Sequence, residues 1–351
     1  MKERFIKNPL IVEKKGVGQC LVVAFTDLDG TANDETVDEY KRIRTILPAK
    51  ETIKKLETHG IPVGISTSRS TGEAILYQKE LKCNGAILSE DGAVVSPNKN
   101  NDKKQLEKFE EERLVKIEGR YAIRLSNVPM KTIHDFLEHV SNETKEALTS
   151  TKIYSREDLK KLKKAAKHKT RKAAKLSADR IASAYVANPT EGQKKIINQS
   201  AGSYGIRTYG DPIFNFTGTD ATKATALKFI NENASKFFPY ADDIKGIVPI
   251  VFGNGENDIE ILSEAEKMGG VGVIVRQPNG EFFFDEKKIP KNTIKADGHC
   301  GHGMLSSLPE VFNRLNEKHG TNIIYTAPDK IDRTSWFPKF PSGSTLFSRS
   351  K

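Results

Sequence analysis

Residues 21–26 (LVVAFT) form an unbroken apolar or β-prone run that passes directly into DLDGT, with Asp27 and Asp29 on either side of Leu28. A strand with one face in water would alternate, so a continuous run ending in acidic and glycine residues predicts a parallel strand buried on both faces that ends in a loop. The next stretches extend the pattern: residues 49–58 read as a helix, 61–66 as a strand and 72–81 as a second helix. This βαβα order predicts an α/β fold, a doubly wound parallel sheet covered by helices.

The same texture returns late in the chain, with a helix over 223–231, a buried strand over 247–252, a helix over 259–267 and a strand over 270–275. Between the two blocks the character changes. The polar stretch PNKNNDKK at 97–104 reads as a boundary, and the lysine-rich residues beyond it mix amphipathic helices with strand candidates at 121–125, 182–186 and 213–216. The expected organisation is therefore a core made of 1–98 and 217–318, split by an inserted α+β domain at 99–216. A helix is expected at about 308–318, and residues 319–351, rich in Pro, Ser and charge, read as a tail tethered by Trp336.

A chain of 351 residues with 37% hydrophobic content can bury the core of two domains. The charged start MKERFIKNPLIVEKKG has no signal-like apolar stretch and no later run is long enough to span a membrane, so the expected location is the cytoplasm. Cys20, Cys83 and Cys300 are few and far apart, as reduced thiols would be. The net charge of +10 lies mostly in residues 160–175, which carry nine Lys or Arg and no acid, leaving about +1 for the rest. That run reads as a helix with a solvated basic face in the inserted domain. Nucleic acid or an anionic membrane is the competing partner, although the run lacks the aromatic residues that base stacking uses.

The chemistry concentrates at strand ends. Alternation along an extended strand puts Asp27 and Asp29 on one side, at the carboxyl edge where α/β sheets bind ligands. Two carboxylates there can divide labour on a phosphate ester: Asp27 attacks phosphorus, and Asp29 protonates the departing alkoxide and later deprotonates water. Gly30 and Thr31 allow a sharp turn around the phosphate. Phosphoryl transfer also needs a hydroxyl, a cation and further oxygen ligands for Mg2+. Thr67 after the second strand, Lys223 at the start of a helix, and Asn254, Asn257 and Asp258 in the loop GNGEND supply them in that order.

That order, DLDGT, Thr67, Lys223 and GNGEND, resembles the haloacid dehalogenase superfamily. The resemblance implies that Asp27 is the nucleophile, Asp29 the acid and base, Thr67 and Lys223 the phosphate contacts, and Asp258 part of the acidic loop. It also implies Mg2+ held by Asp27, Asp29, Asn254 and Asp258, and an inserted α+β cap of the C2 type.

Within the superfamily, TSRSTGE at 67–73, VIVRQPNGE at 273–281, IKADGHCGHG at 294–303 and ADRIASA at 178–184 are similar to pieces of the mannosyl-3-phosphoglycerate phosphatases. This resemblance implies a small phosphorylated metabolite, a phosphoglycerate glycoside or sugar phosphate, contacted by Ser68, Arg69, Arg180, Ser183 and Asn257. Three departures stand out. Asn254 replaces an Asp of the acidic loop and offers Mg2+ no charge; Ala184 stands where the cap motif has Glu; DPIF at 211–214 stands where Arg is frequent. Other expectations remain open: a degenerate phosphatase fold binding an anionic partner through the basic run, a phosphosugar mutase, and a zinc site at His299, Cys300 and His302, whose close spacing in a glycine-rich segment favours a loop over a metal site.

Overall fold

The computed structural model of the protein describes residues 8–32, 46–97, 109, 113–117, 120–145, 180–187, 189–210, 213–238, 243–277 and 279–326. The basic run 160–175, residues 211–212 of DPIF, and the tail beyond 326 with Trp336 lie outside the described residues.

The first half contains β1 (Ile11–Lys14), β2 (Gly18–Thr26), α1 (Leu47–Thr58), β3 (Val63–Ser66), α2 (Thr71–Leu81), β4 (Ile87–Ser89), β5 (Val94–Ser96), β6 (Leu114–Ile117), β7 (Arg120–Arg124) and α3 (Met130–Thr144). The second half contains β8 (Ser183–Ala187), α4 (Glu191–Ser200), β9 (Ile206–Tyr209), β10 (Ile213–Gly218), α5 (Lys223–Glu232), α6 (Ala234–Phe237), β11 (Gly246–Gly253), α7 (Ile259–Lys267), β12 (Val271–Arg276), β13 (Ile294–His299) and α8 (Cys300–His319). A ten-stranded sheet runs β13-β12-β11-β2-β3-β4-β5-β7-β6, with β1 paired to β2.

The apolar run in β2 is explained by its place in this sheet. It lies between β11 and β3, parallel to both. Its side chains alternate between two cores: Val22 and Ala24 join Ile53, Leu56, Ile75, Leu308 and Phe312 on one face, while Leu21, Val23 and Phe25 join Leu227, Ile230, Phe237, Ile261 and Leu262 on the other. Helices α1, α2 and α8 therefore cover one face and α5 to α7 the other, the doubly wound arrangement expected from the βαβα order. Cys20, Cys83 and Cys300 are buried thiols outside any disulfide.

Beyond β4 the sheet changes sense, because β5, β7 and β6 continue it antiparallel. This corrects one expectation. The strand at 121–125, assigned to the inserted domain, belongs to the large sheet, where Ala122 packs into one core and Ile123 into the other. The chain leaves the sheet only after β7. A separate three-stranded sheet, β8-β10-β9, then forms with α3 and α4 the second unit, the cap. Its core contains Ile133, Phe136, Val140, Val186, Ile197 and Phe216. Ala184 is buried in the same cluster, so a Glu in its place would set a carboxylate among apolar groups.

The segment 300–303 also differs from expectation. It is the first part of α8 rather than a loop, and its glycines serve close packing: a Cβ on Gly301 would lie 2.6 Å from the Ala49 nitrogen, and one on Gly303 would lie 2.4 Å from the Gly298 oxygen. Among the described residues no helix is long and apolar enough to cross a membrane.

Candidate active site

Parallel strands deliver four loops to one edge of the sheet, after β2, β3, β4 and β11. Asp27 leaves β2 with its backbone N–H bonded to the Phe252 carbonyl of β11 at 2.9 Å. The start of α5 faces this edge, and Thr222 caps it by accepting from the Thr225 N–H at 3.1 Å. Lys223 is the first residue of that helix. Its Nζ donates to Asp27 Oδ1 at 2.9 Å and to Asp258 Oδ1 at 2.7 Å, although the side chain is only 1% exposed.

A lysine buried this deeply stays charged only with close counter-charges. Burial works against the Lys223 ammonium, but Asp258, Asp27 and Asp91 outweigh it and raise its pKa above the ordinary lysine value. The carboxylates are left short of positive charge. Burial pushes Asp27 well above the usual carboxylate range, and Asp258 and Asp29 add to that against the pull of Lys223. Burial likewise raises Asp91, against the pull of Lys223, a hydrogen bond from Asn257 and the charge of Arg180.

The acidic loop after β11 is braced from within. Asp258 Oδ2 accepts from the Asn254 and Gly255 N–H groups at 3.0 and 3.1 Å. Both Asp258 oxygens are thus engaged in holding the loop and Lys223. Asn254 Oδ1 accepts from Thr31 Oγ1 at 3.0 Å, which joins this loop to DLDGT. Gly30 (φ +76°) is required at that junction, because a Cβ there would lie 2.1 Å from Asn254 Nδ2.

Asp29 is held by the loop after β3. Arg69 Nε and Nη2 reach its two oxygens, while Arg69 Nη1 also reaches Glu73 Oε1 at 3.3 Å and the guanidinium stacks 5.1 Å from the Tyr77 ring. Thr67 is 1% exposed, and its Oγ1 accepts from the Arg69 N–H at 3.2 Å, a bond that leaves the hydroxyl hydrogen available for donation. Ser68 is half-buried in the same loop.

The loop after β4 carries two residues that the sequence reading passed over, Glu90 and Asp91. Glu90, Asp91 and Gly92 have φ of +52°, +56° and +88° in succession. Two hydrogen bonds tie this left-handed turn to the neighbouring loop, Glu90 N–H to the Arg69 oxygen at 2.9 Å and Asp91 N–H to the Thr67 oxygen at 3.1 Å. A Cβ on Gly92 would lie 2.1 Å from the Thr222 oxygen, so the turn also packs against the start of α5. The available signal was the word SEDG at a strand end, an acid followed by glycine as in DLDGT.

Glu90 joins this edge to the cap. It accepts from the N–H groups of Ile181 and Ala182 and from Ser183 Oγ, the last two at 2.9 Å on Oε2. Arg180 Nη1 donates to Ser183 Oγ at 2.8 Å and its guanidinium stacks 5.0 Å from the Tyr185 ring. Asn257 Nδ2 donates to Asp91 Oδ1 at 3.3 Å. The structure therefore gathers Asp27, Lys223 and Asp258 into one charged cluster, Asp29 and Arg69 into a pair beside it, and Arg180 and Ser183 at the cap junction. His299 and His302 lie at the junction of β13 and α8, with ring centroids 5.6 Å apart.

The glucosyl-3-phosphoglycerate/mannosyl-3-phosphoglycerate phosphatase of Methanococcoides burtonii is 24% identical over 84% of this chain and 98% of its own length. Its counterpart from Persephonella marina is 25% identical with the same coverage of each. A crystal structure from Thermoplasma acidophilum covers 84% of this chain and 99% of its own at 16% identity and a TM-score of 0.51, a likeness of fold. The haloacid dehalogenase-like hydrolase family matches residues 24–281, from the last third of β2 through β12 and including every loop of the site, and the chain belongs to that family.

Proposed function

We propose that the protein is a magnesium-dependent phosphohydrolase that cleaves a small phosphate monoester through an aspartyl-phosphate. The observation that carries this reading is the Lys223 bridge between Asp27 and Asp258. It fixes a carboxylate at a strand end beside a permanent buried cation, the arrangement that nucleophilic attack on an anionic phosphoryl group requires. The relatives named above act on glucosyl- and mannosyl-3-phosphoglycerate, which supports a phosphorylated glyceric or sugar-acid ester as the substrate.

In this reading Asp27 attacks phosphorus and the ester oxygen leaves with a proton from Asp29, which gives up one of its two Arg69 bonds to carry that proton, so that an alcohol and phosphorylated Asp27 result. Asp29, now ionised, takes a proton from a water whose oxygen attacks the same phosphorus, which restores Asp27 and releases phosphate. Lys223 balances the charge of the phosphoryl oxygens, and Thr67 donates its hydroxyl to one of them. Arg69 fixes the orientation of Asp29. The cap excludes water from the site through the junction at Glu90.

The donor set fits Mg2+. Its groups are all hard oxygens, and the excess of carboxylate over Lys223 leaves negative charge that a divalent cation relieves. Asp27 and Asn254 are the residues that would hold it. Asp29 and Asp258 are engaged with Arg69 and with Lys223 and the loop, and among the described residues no three His, Cys, Asp or Glu side chains form a closed cage. Mg2+ is commonly bound by one or two protein oxygens with water and substrate phosphate completing its shell. When bound, it supplies positive charge to the phosphoryl oxygens.

The test is phosphate release by the full chain from phosphoglycerate glycosides, sugar phosphates and nucleotides, with Mg2+ and with a chelator. The reading expects turnover that the chelator removes and that Asp27→Asn abolishes. Undiminished turnover by Asp27→Asn sinks it. A protein that is inactive at every Mg2+ concentration but active as Asn254→Asp is instead a degenerate member that binds without hydrolysing.

A further inference from the structure

Two buried polar atoms in the described structure point to a ligand rather than to the protein. Asp91 Oδ2 and Arg180 Nε have no hydrogen-bond partner. Asp91 is only 5% exposed, so its bare oxygen is not satisfied by bulk solvent. An unpaired buried acceptor is unfavourable, and Asp91 is held there in a left-handed backbone conformation, φ +56°. The turn that imposes this conformation sends the preceding residue, Glu90, to Ala182 and Ser183, the latter also bonded by Arg180 Nη1. Asp91 meets Asn257 Nδ2 and, through its N–H, the Thr67 oxygen. The charges of Lys223 and Arg180 both act on it. Its bonds to the Thr67 oxygen and to Asn257 place Asp91 beside the phosphate site.

The charges around Asp91 restrict what can occupy its free oxygen. Lys223 and Arg180 disfavour a metal ion or an ammonium group beside it. The carboxylate itself repels phosphate or another carboxylate. A neutral donor remains, and a hydroxyl is such a group.

We infer that Asp91 is a specificity-determining residue whose Oδ2 accepts a hydrogen bond from a free hydroxyl on the organic part of the phosphate ester. The inference rests on the phosphohydrolase reading for the position of the ester. It adds a requirement which that reading does not contain: the preferred esters are those of hydroxylated skeletons, and the discrimination is made by a core residue rather than by the cap alone.

The test uses two ligands of equal charge, glycerol 1-phosphate and 1-propyl phosphate, the second lacking the hydroxyls. Dissociation constants are measured by calorimetry in a non-reacting Asp27→Asn protein, so the readout does not depend on turnover. A hydrogen bond to a charged acceptor predicts a preference for glycerol 1-phosphate of about tenfold or more. Asp91→Gly in that background should reduce the preference to within about twofold. Asp91→Asn, which keeps an acceptor but not the charge, should fall between. Glycine and asparagine both tolerate the positive φ, so both variants keep the turn. Equal affinities in the Asp27→Asn protein, no measurable glycerol 1-phosphate binding, or an unchanged preference in Asp91→Gly overturns the inference. Phosphate release by the unaltered protein is followed in parallel. Release without a hydroxyl preference removes the Asp91 assignment alone, whereas an Asp91-dependent preference without release removes the hydrolytic reading and keeps the subsite.

Discussion

Arg69 grips Asp29 with both arms of its fork, Nε to Oδ2 at 2.5 Å and Nη2 to Oδ1 at 2.6 Å. The pair is 40 residues apart in sequence and joins the loops after β2 and β3. A planar fork fixes a carboxylate in both position and tilt, which a point charge does not.

Arg69→Lys should therefore lower kcat/KM for phosphate release by about tenfold or more while leaving the fold intact. Arg69→Ala should lower it further. Steady-state assays with circular dichroism as the folding control check this, and a lysine variant at full rate would show that the fork is unnecessary.

Lys223→Met should remove activity and destabilise the fold. It leaves Asp27 and Asp258 buried without their shared cation, and breaking a buried pair by deleting one partner is worth about 3–5 kcal/mol. Urea unfolding measures the change. Because the folded pKa of Lys223 lies above its unfolded value, its contribution to stability is complete throughout the neutral range and is lost only in strong alkali.

Glu90 and Asp91 act in the opposite sense across the accessible pH range. Burial raises both above their unfolded values, so the folded state binds protons more tightly than the unfolded state. The stability they contribute is present at low pH and is lost as pH rises through their folded pKa values. The urea midpoint should therefore carry a component that increases as pH is lowered from neutral toward the unfolded carboxylate range, near about 4. Asp91→Asn should flatten that component. An identical pH profile in the variant would contradict the assignment.

Asn254→Asp should lower the Mg2+ concentration for half-maximal phosphate release, by about tenfold for one added ligand charge. An aspartate retains an oxygen to accept from Thr31 Oγ1, so the junction with DLDGT survives the change. Metal titration of the rate provides the measurement.

The parts of this molecule legible in its sequence are those encoded by short-range pattern. The run at 21–26 announces β2 because a strand between two others needs apolar groups on both faces, and the strands and helices on either side follow the same periodicities. Asp27, Lys223 and Asp258 could be nominated because strand ends and helix starts are visible locally, and the structure brings the three together. The membership of β7 was not legible: alternation over Tyr121, Ala122 and Ile123 reads the same in either sheet, and only tertiary pairing decides between them. The first turns of α8 were misread because glycine usually breaks helices, whereas Gly301 is there to let α8 approach Ala49. Asp91 was missed because its burial, its left-handed backbone and its unpaired oxygen are products of the folded environment.

The turn at Glu90, Asp91 and Gly92 has a consequence for engineering. Its three consecutive residues face three different neighbours: Glu90 meets Ala182 and Ser183, Asp91 meets Asn257, and Gly92 lies against the Thr222 backbone. A lid transplanted from a relative would have to arrive with the backbone donors that Glu90 expects, or the recipient would have to exchange the whole triplet. Altering Glu90 alone to suit a new lid would strain the same three-residue hinge pin that orients Asp91 and seats the helix of Lys223.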